Sequence, residues 1–465
     1  MKRRNFLHTI TYSSLGAGIA SSYPVSAFAD KTVEINQAAN LKRFGDGRDW
    51  FLEKRFGLFV HWGLYAIHGW HEQHQWRARV ERSEYVKLIN QWNPVEFNPD
   101  QWLDLLEETG MKYLCITAKH HDGFCLWDTK HTSFNTMNTP YGKDIIRMIA
   151  DACHRRNIPL CLYYSIVDWN NPNYPNEGRS HELQPQPQDS PDQAKYIEFV
   201  KSQVRELCTN YGEIHGFWWD GLRMDVADPS INNMIRELQP KAVINNRGFD
   251  KGDFSTPERD YQVDNKESFD HPVEACQSVG MESWGYRENE AYYTDRHLIR
   301  SIDKYLARDA NYLLNIGPNP RGMIPKQSSK ILNRIGKWYH AVKESLENVE
   351  PASKLTSNPQ VMLTKRKHTL YVHLNKEPQG DMVKLRPFTV APKTAVLLND
   401  GRKVDFEVKF SPRDHLEQKA YLRLINLPII EMSNTVLVIK LEFDRPPEEY
   451  IPSVYKQDAV KEGQK

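Results

Sequence analysis

The sequence predicts an α/β protein in which a (β/α)8-like barrel is followed by a C-terminal β-sandwich. Between Arg55 and about residue 318, short apolar β-rich runs alternate with amphipathic helical patterns. After Glu350-Pro351 the pattern changes to strand-like runs separated by Gly, Pro and Asn. Roughly seven or eight β/α units fit a closed barrel better than an open doubly wound sheet, which usually has fewer strands. A chain of 465 residues is also longer than one hydrophobic core usually serves.

The barrel units follow one another in chain order. The first five runs are a strand in RFGLFVHWG, a helix in QWLDLLEETG, a strand in KYLCITAKH, a helix in DIIRMIADACHRRN and a strand in PLCLYYS. The next are a helix from Ser190 to Tyr211, a strand in IHGFWWDG, a helix near Asn232 to Leu238, a strand in AVINNRG, a helix from Thr294 to Arg308 and a strand in NYLLNIGP. The segment from Asn246 to Tyr286 has poor periodicity, so one or two barrel helices are left unplaced there.

The C-terminal part reads as an all-β domain, with strands in HTLYVHL, TAVLLND, KVDFEVKF and TVLVIKLEF. We therefore predict a barrel domain over residues 30–350, a β-sandwich over 351–455 and a loosely held tail over 456–465.

Residues 1–29 predict an export signal. Lys2-Arg3-Arg4 precedes a weakly apolar run, and Ala27-Phe28-Ala29 forms a small-residue cleavage site before Asp30. The run Arg-Arg-Asn-Phe-Leu resembles a twin-arginine signal. We expect an exported, periplasmic protein without a lipid anchor.

Charge and cysteine content exclude several kinds of partner. The 61 basic and 60 acidic residues leave a net charge of +1, and no basic stripe indicates a nucleic-acid or membrane partner. The six cysteines form neither a CxxC motif nor a dense framework, so we expect mostly free, buried thiols. Twelve tryptophans and 22 tyrosines suit a ligand with apolar CH faces, such as a sugar.

Polar residues end five of the predicted barrel strands. Catalytic groups of such barrels lie at the C-terminal ends of the strands, so these side chains should meet at one rim. The strand ends are His61-Trp62, Lys119-His120-His121-Asp122-Gly123, Tyr164, Trp218-Trp219-Asp220-Gly221 and Asn245-Asn246-Arg247. A carboxylate placed directly after two tryptophans is costly to ionise unless other groups hold it, so Asp220 is either a trapped structural acid or a working one.

Six stretches resemble glycoside hydrolase family 29, the α-L-fucosidases: RFGLFVHWGLY, AKHHDGFCLWDTKHTSFN, LYYSIVDW, WWDG, ESWGY and NYLLNIGP. They run in order from about Arg55 to Pro318. The resemblance implies a retaining glycosidase on a barrel-like domain with a C-terminal β-sandwich, in agreement with the periodicity. It implies no cofactor and a fucosylated oligosaccharide or glycoconjugate as the partner.

The resemblance implies that Asp220 is the catalytic nucleophile and leaves the acid/base open. Glu258, in GDFSTPERD, resembles the Thr-x-Glu position of one group of members, and Glu274, in VEACQSVG, resembles the Trp-Glu position of others. Glu282 is a more distant candidate. We favour Glu258, because a loop residue can meet solvent between steps, whereas Glu274 opens an apolar strand.

The resemblance also implies the sugar-binding residues His61, His120, His121, Tyr164, Trp218 and Arg247. Trp76 corresponds to the Trp of a Glu-Trp pair found in many members, but Gln75 stands before it here. An amide loses the charge-assisted part of a hydroxyl hydrogen bond, so sugar binding or linkage preference should differ.

We expect no metal site. His68, His71 and His74 have a three-residue spacing, but no HExxH motif or cysteine cluster supplies further ligands. The interpretation we favour is an exo-acting, retaining α-L-fucosidase. The alternatives are a non-catalytic sugar-binding protein on a degenerate glycosidase scaffold and a related α-L-glycosidase such as an α-L-galactosidase.

Overall fold

The structure is a computed structural model, and it describes residues 41–221, 228–259, 268–410 and 420–451. All of these described residues belong to one compact unit. The predicted signal segment 1–29 and the tail 456–465 lie outside the described residues.

Within the described residues, seven parallel strands form a curled sheet with the order β5-β4-β3-β2-β1-β7-β6. The strands are β1 (Phe56–Val60), β2 (Tyr113–Lys119), β3 (Leu160–Ser165), β4 (Gly216–Asp220), β5 (Val243–Ile244), β6 (Glu274–Ser278) and β7 (Asn311–Ile316). Nearly every residue of these strands is buried. This is the pattern of a parallel sheet with both faces covered, as the apolar runs in the sequence predict.

Residues 254–258 close the sheet between its two edge strands. Phe254 forms a parallel bridge with Asn245 beyond β5, and Ser255 and Glu258 form parallel bridges with Val273 and Cys276 on the β6 side. This segment therefore takes the place of an eighth strand, and the sheet becomes a barrel. Glu258 lies at its C-terminal end.

The described helices cover the outside of the barrel and its loops. They are α1 (Trp50–Glu53), α2 (His74–Arg77), α3 (Arg82–Tyr85), α4 (Pro99–Glu108), α5 (Ile145–Arg156), α6 (Gln193–Asn210), α7 (Pro229–Leu238), α8 (Asp295–Leu306) and α9 (Lys326–Val342). Side-chain caps explain where the long ones begin. Asn98, Asp144, Asp192, Asp228 and Thr294 each accept a backbone N–H of the first turn of α4 to α8 in turn.

The side chains of the barrel strands form two separate cores. An inner cluster fills the barrel and includes Phe59, Tyr163, Trp218 and Cys276. An outer cluster lies between the sheet and the helices and includes Tyr164 and Trp219. Adjacent residues of one strand thus belong to different cores, because side chains alternate across a strand.

The C-terminal part is a sandwich of two antiparallel sheets. Its strands are β8 (Glu350–Pro351), β9 (Met362–Arg366), β10 (Thr369–His373), β11 (Val383–Leu385), β12 (Thr394–Leu397), β13 (Asp405–Phe410), β14 (Ala420–Ile425) and β15 (Val438–Glu442). The order is β12-β15-β10-β9-β8 in one sheet and β11-β14-β13 in the other. Both sheets contribute to one apolar core, as the alternating runs predict.

The larger sheet also packs on the barrel helices. The indole of Trp338 in α9 donates to the carbonyl oxygen of Val436 over 3.1 Å. Oδ1 of Asp303 in α8 lies 2.6 Å from Nδ1 of His373 in β10, and both side chains are fully buried. The fold class is therefore the predicted one, a (β/α)-barrel followed by a β-sandwich, whereas helix α9 was not placed by the sequence.

Candidate active site

A pocket of about 390 Å³ opens at the C-terminal ends of the barrel strands. This is the face on which such barrels carry their chemistry. The predicted site residues that line it are His61, His120, His121, Trp218, Asp220, Arg247 and Glu258. The structure therefore brings together predicted side chains from the ends of four strands, β1, β2, β4 and β5, and from the closing segment 254–258.

Asp220 ends β4 and is held through both carboxylate oxygens. Its Oδ2 accepts the hydroxyl of Tyr163 over 2.8 Å, and its Oδ1 accepts Nη1 of Arg247 over 3.3 Å. Nε2 of His121 lies 3.7 Å from Oδ2. Burial alone would raise the pKa of Asp220, but the positive charge of Arg247 and the hydrogen bond from Tyr163 outweigh burial and lower the pKa. Asp220 is thus an ionised carboxylate at neutral pH.

Gly221 allows the chain to turn directly after this carboxylate. Its φ is +74°, a conformation that favours glycine, and a Cβ there would lie 2.6 Å from Cγ2 of Val167. A side chain at this position would therefore displace the backbone that carries Asp220.

Arg247 lies between Asp220 and Glu258. Its Nη1 donates to Glu258 Oε1 over 2.9 Å as well as to Asp220. Its Nε and Nη2 donate to the hydroxyl and carbonyl oxygen of Thr256, so the closing segment fixes the guanidinium. The two acidic neighbours raise the pKa of Arg247 despite its burial. One cation therefore bridges both carboxylates of the pocket.

Three buried histidines line the pocket beside Asp220. Nδ1 of His61 lies 2.7 Å from Asn315 Oδ1, and Nδ1 of His121 lies 2.6 Å from Ser165 Oγ. The ring of His120 stacks on Tyr163 with centroids 5.6 Å apart. Burial lowers the pKa of His61 to about 4 and also lowers the pKa of the other two imidazoles. Neutral imidazoles can both donate to and accept from sugar hydroxyls.

Tyr163, rather than the predicted Tyr164, lines the pocket. The hydroxyl of Tyr164 donates to Gln203 Oε1 over 2.7 Å in the layer between the sheet and the helices. The prediction chose the wrong residue of two adjacent tyrosines, and a shift of one residue along a strand moves the side chain to the other face.

Glu274 does not line the pocket but lies buried inside the barrel, with 2% of its surface exposed. Its Oε2 accepts the hydroxyl of Tyr113 over 2.6 Å, and its Oε1 accepts the indole N–H of Trp218 over 3.1 Å. Burial raises the pKa of Glu274 to about 8. Glu282 also lies outside the pocket, where its exposed side chain pairs with Arg287. Of the three candidate acid/base residues, only Glu258 lines the pocket.

Gln75 and Trp76 do not line the pocket either. Gln75 is fully buried and accepts Nδ2 of Asn170 over 3.2 Å. The indole of Trp76 stacks on His181, with centroids 4.8 Å apart, and His181 in turn lines the pocket. Trp76 therefore contributes to the pocket through His181, whereas Gln75 contacts Asn170 in the adjoining loop.

Glu72 lines the pocket and was missed from the sequence. Its Oε2 accepts the hydroxyl of Ser283 over 2.8 Å and the backbone N–H groups of Trp284 and Gly285 over 2.8 and 3.3 Å. It is the only acidic residue in HGWHEQHQW, and that was the signal available in the sequence.

A buried ion pair holds the two loops beside the histidines together. Nζ of Lys119, at the end of β2, lies 3.0 Å from Asp168 Oδ2 in the loop after β3. Asp168 Oδ1 also accepts the backbone N–H groups of Asn170 and Asn171. The pair links the strand end that precedes His120 to the loop that carries Asn170.

The three spaced histidines do not gather into a metal site. The ring centroids of His68 and His74 lie 4.0 Å apart, while Nδ1 of His71 lies 3.3 Å from Glu72 Oε2. Within the described part of the chain, no three or more His, Cys, Asp or Glu side chains are grouped to hold a metal ion. Over the same residues, none of the helices has the length and apolar character needed to cross a membrane.

Comparison with known proteins identifies similar proteins over most of the chain. Residues 26–344 match the family model described as alpha-L-fucosidase. Tissue alpha-L-fucosidase of Rattus norvegicus is 27% identical over 393 residues, covering 76% of this chain and 82% of the rat protein.

Solved structures of bacterial fucosidases superpose on most of the chain. Alpha-L-fucosidase isoenzyme 1 from Paenibacillus thiaminolyticus has a TM-score of 0.74 and 32% identity, covering 86% of this chain and 99% of that one. A GH29 alpha-L-fucosidase from Bacteroides thetaiotaomicron, trapped as a covalent intermediate in a glutamate-to-glutamine variant, has a TM-score of 0.72 and 26% identity and covers 87% of this chain and 98% of that one. The chain therefore belongs to the α-L-fucosidase family, glycoside hydrolase family 29.

Proposed function

We propose that the protein is an exo-acting, retaining α-L-fucosidase that releases terminal α-L-fucose from oligosaccharides or glycoconjugates, with Asp220 as nucleophile and Glu258 as acid/base. The observation that carries this proposal is the shared contact of Arg247 with both carboxylates. Because Asp220 Oδ1 and Glu258 Oε1 lie 3.3 and 2.9 Å from the same nitrogen, they are separated by at most about 6 Å. Retaining glycosidases place their carboxyl groups about 5–5.5 Å apart, and inverting ones about 6.5–9.5 Å apart.

The different environments of the two carboxyl groups support their different roles. Asp220 is partly buried, with 25% of its side chain exposed, and it is kept ionised, as a nucleophile requires. The side chain of Glu258 is 42% exposed, so it can exchange protons with water between the two steps. Glu274 has no such access, since it is buried below the pocket.

The proposed reaction has two steps. In the first, Asp220 attacks the anomeric carbon while Glu258 gives its proton to the departing glycosidic oxygen, which leaves a glycosyl ester on Asp220. In the second, Glu258 takes a proton from water, the water attacks the same carbon, and Asp220 is released as a carboxylate. Two inversions give net retention. The neutral histidines and Trp218 supply hydrogen bonds and an apolar wall for the sugar.

The test of the acid/base assignment compares Glu258→Ala with Glu274→Ala. A general acid matters most for poor leaving groups, so Glu258→Ala should lose far more rate on natural oligosaccharides than on activated aryl fucosides. Azide should restore turnover of the aryl fucoside by Glu258→Ala, because the small anion needs no base to attack the glycosyl-enzyme. Glu274→Ala should show no rescue. Rescue of Glu274→Ala but not of Glu258→Ala would refute the assignment.

Product analysis tests the stereochemistry and the sugar specificity. NMR of the first-formed product should show the α-anomer of L-fucose, and a β-anomer would contradict the double displacement. Parallel assays on 1,2-, 1,3-, 1,4- and 1,6-linked fucosides identify the linkage, and an aryl α-L-galactoside tests whether the pocket admits a C6 hydroxyl.

A further inference from the structure

Glu274 is a polar group that the proposed reaction leaves without a role. It opens β6 inside the barrel among the apolar side chains and thiols of the inner cluster. Burying a carboxyl group there is costly unless its oxygens are hydrogen-bonded, and both of them are. One partner, Tyr113, belongs to the barrel interior, and the other, Trp218, lines the active-site pocket.

The indole N–H of Trp218 can only donate, so it needs an acceptor once it is buried. Oε1 of Glu274 is that acceptor, at 3.1 Å. The hydrogen bond fixes the indole within the barrel, on the side opposite to the open rim. The orientation of a pocket wall is thus determined by a carboxyl group that does not reach the pocket.

Trp218 in turn contacts the two residues that bind the carboxylate of Asp220. Tyr163 stacks on the indole, with centroids 5.5 Å apart and an angle of 18° between the rings. The guanidinium of Arg247 lies over the same indole, 4.8 Å from its centroid. Tyr163 binds Oδ2 of Asp220 and Arg247 binds Oδ1. A rotation of the indole would therefore disturb both contacts to Asp220.

We propose that Glu274 is a positioning residue of the active site, which holds the Trp218 indole so that Tyr163 and Arg247 keep the Asp220 carboxylate in its reactive orientation. The proposal rests on the proposed function only in taking Asp220 as the nucleophile. It assigns no chemical step to Glu274.

Three variants separate positioning from a general loss of packing. Glu274→Met keeps the volume but removes the acceptor of the indole N–H. Glu274→Gln keeps an Oε1 acceptor in the same place. Tyr113→Phe is the matched control, because it removes the other hydrogen bond of Glu274 and leaves the contact to Trp218 intact.

The readout is kcat/KM for an aryl α-L-fucoside, per active site counted by titration with a mechanism-based inactivator. We expect Glu274→Met to lose about tenfold or more, which corresponds to one unsatisfied buried hydrogen bond. Glu274→Gln and Tyr113→Phe should stay within about twofold of wild type, although Tyr113→Phe loses stability. The loss in Glu274→Met should fall on kcat more than on KM, because the orientation of the nucleophile governs the chemical step.

A double variant keeps the test informative if Glu274→Met does not fold. Trp218→Phe has no indole N–H, so adding Glu274→Met to it should cost no further activity. The proposal is overturned if Glu274→Met alone keeps wild-type kcat/KM, or if azide rescues Glu274→Met. It is also overturned if Glu274→Met lowers kcat/KM by the same factor in the Trp218→Phe background as in wild type. A wild-type protein that turns over no fucoside would instead refute the proposed function.

Discussion

Replacing Glu274 by glutamine should remove a pH dependence from the stability of the barrel. Burial raises the pKa of this carboxyl group to about 8 in the folded protein, from an ordinary value of 4.5. Between these two pH values the folded protein holds a proton that the unfolded chain has lost. The contribution of Glu274 to stability is therefore fully present below about pH 4.5 and is lost as the pH rises through about 8.

The magnitude follows from the width of this window. One pKa unit corresponds to about 1.4 kcal/mol, so the unfolding free energy should fall by up to about 1.4 kcal/mol per pH unit and by at most about 5 kcal/mol in total. The ionisable groups around Glu274 do not titrate within the window, because burial raises their pKa values above their ordinary ones. They are Tyr113, Cys115, Cys161 and Cys276.

The assay is urea unfolding of wild type and Glu274→Gln at several pH values from about 5 to about 9. All other titrating groups cancel in the difference between the two unfolding free energies. This difference should decline from pH 5 to 8 and then level off. As a control, Glu282→Gln removes a carboxyl group that is 51% exposed and carries no comparable burial cost, so the same decline should not appear. A flat difference for Glu274→Gln as well would refute the reasoning.

Three further changes test other parts of the site. Asp220→Asn should reduce turnover to less than about one per cent of wild type, because the amide is a poor nucleophile. Because the amide is also nearly isosteric, fucose binding measured by calorimetry and the circular dichroism spectrum should be unchanged. Retention of substantial activity would assign the nucleophile to another residue. Arg247→Gln should move the acidic limit of the pH profile of kcat/KM to higher pH, since the pKa of Asp220 rises when its cation is removed. The control Arg259→Gln removes a charge that does not contact Asp220, so the acidic limit should stay where it is in wild type. Lys119→Met should lower the free energy of unfolding in urea by about 3–5 kcal/mol, because it leaves Asp168 buried without its cation. The control Lys130→Met breaks an exposed pair and should lower it by less than about 1 kcal/mol. Equal losses in the two variants would contradict the importance of burial.

The sequence predicted the architecture well because the barrel strands and their helices have strong, distinct periodicities. The strand KYLCITAKH and the helix DIIRMIADACHRRN, for example, correspond to β2 and α5, which are each one residue shorter at either end. The segment from Asn246 to Tyr286 could not be resolved in this way. There the barrel closes through single bridges of residues 254–258 and the short strand β6, and neither has enough length to give a period.

The candidate site was predicted at the level of strand ends, but not of individual side chains. Two adjacent tyrosines lie near the end of β3, and local sequence does not decide which one faces the barrel interior. In the structure Tyr163 faces it and stacks on Trp218. Gln75 lies in α2 and Glu72 lies just before it, and this helix of a single turn is too short to define an inner face. The burial of Glu274 depends on the partners Tyr113 and Trp218, which are 161 and 56 residues away in the chain.

The positions of the cysteines allow local opening of the barrel to be measured by thiol labelling. All six thiols are free and buried, and all belong to the barrel part of the chain, whereas the sequence after residue 276 contains none. A thiol-specific reagent can therefore modify the protein only when the barrel opens, and unfolding confined to the C-terminal sandwich leaves it unmodified. Labelling rates followed by mass spectrometry would resolve the opening of individual barrel segments without any introduced probe.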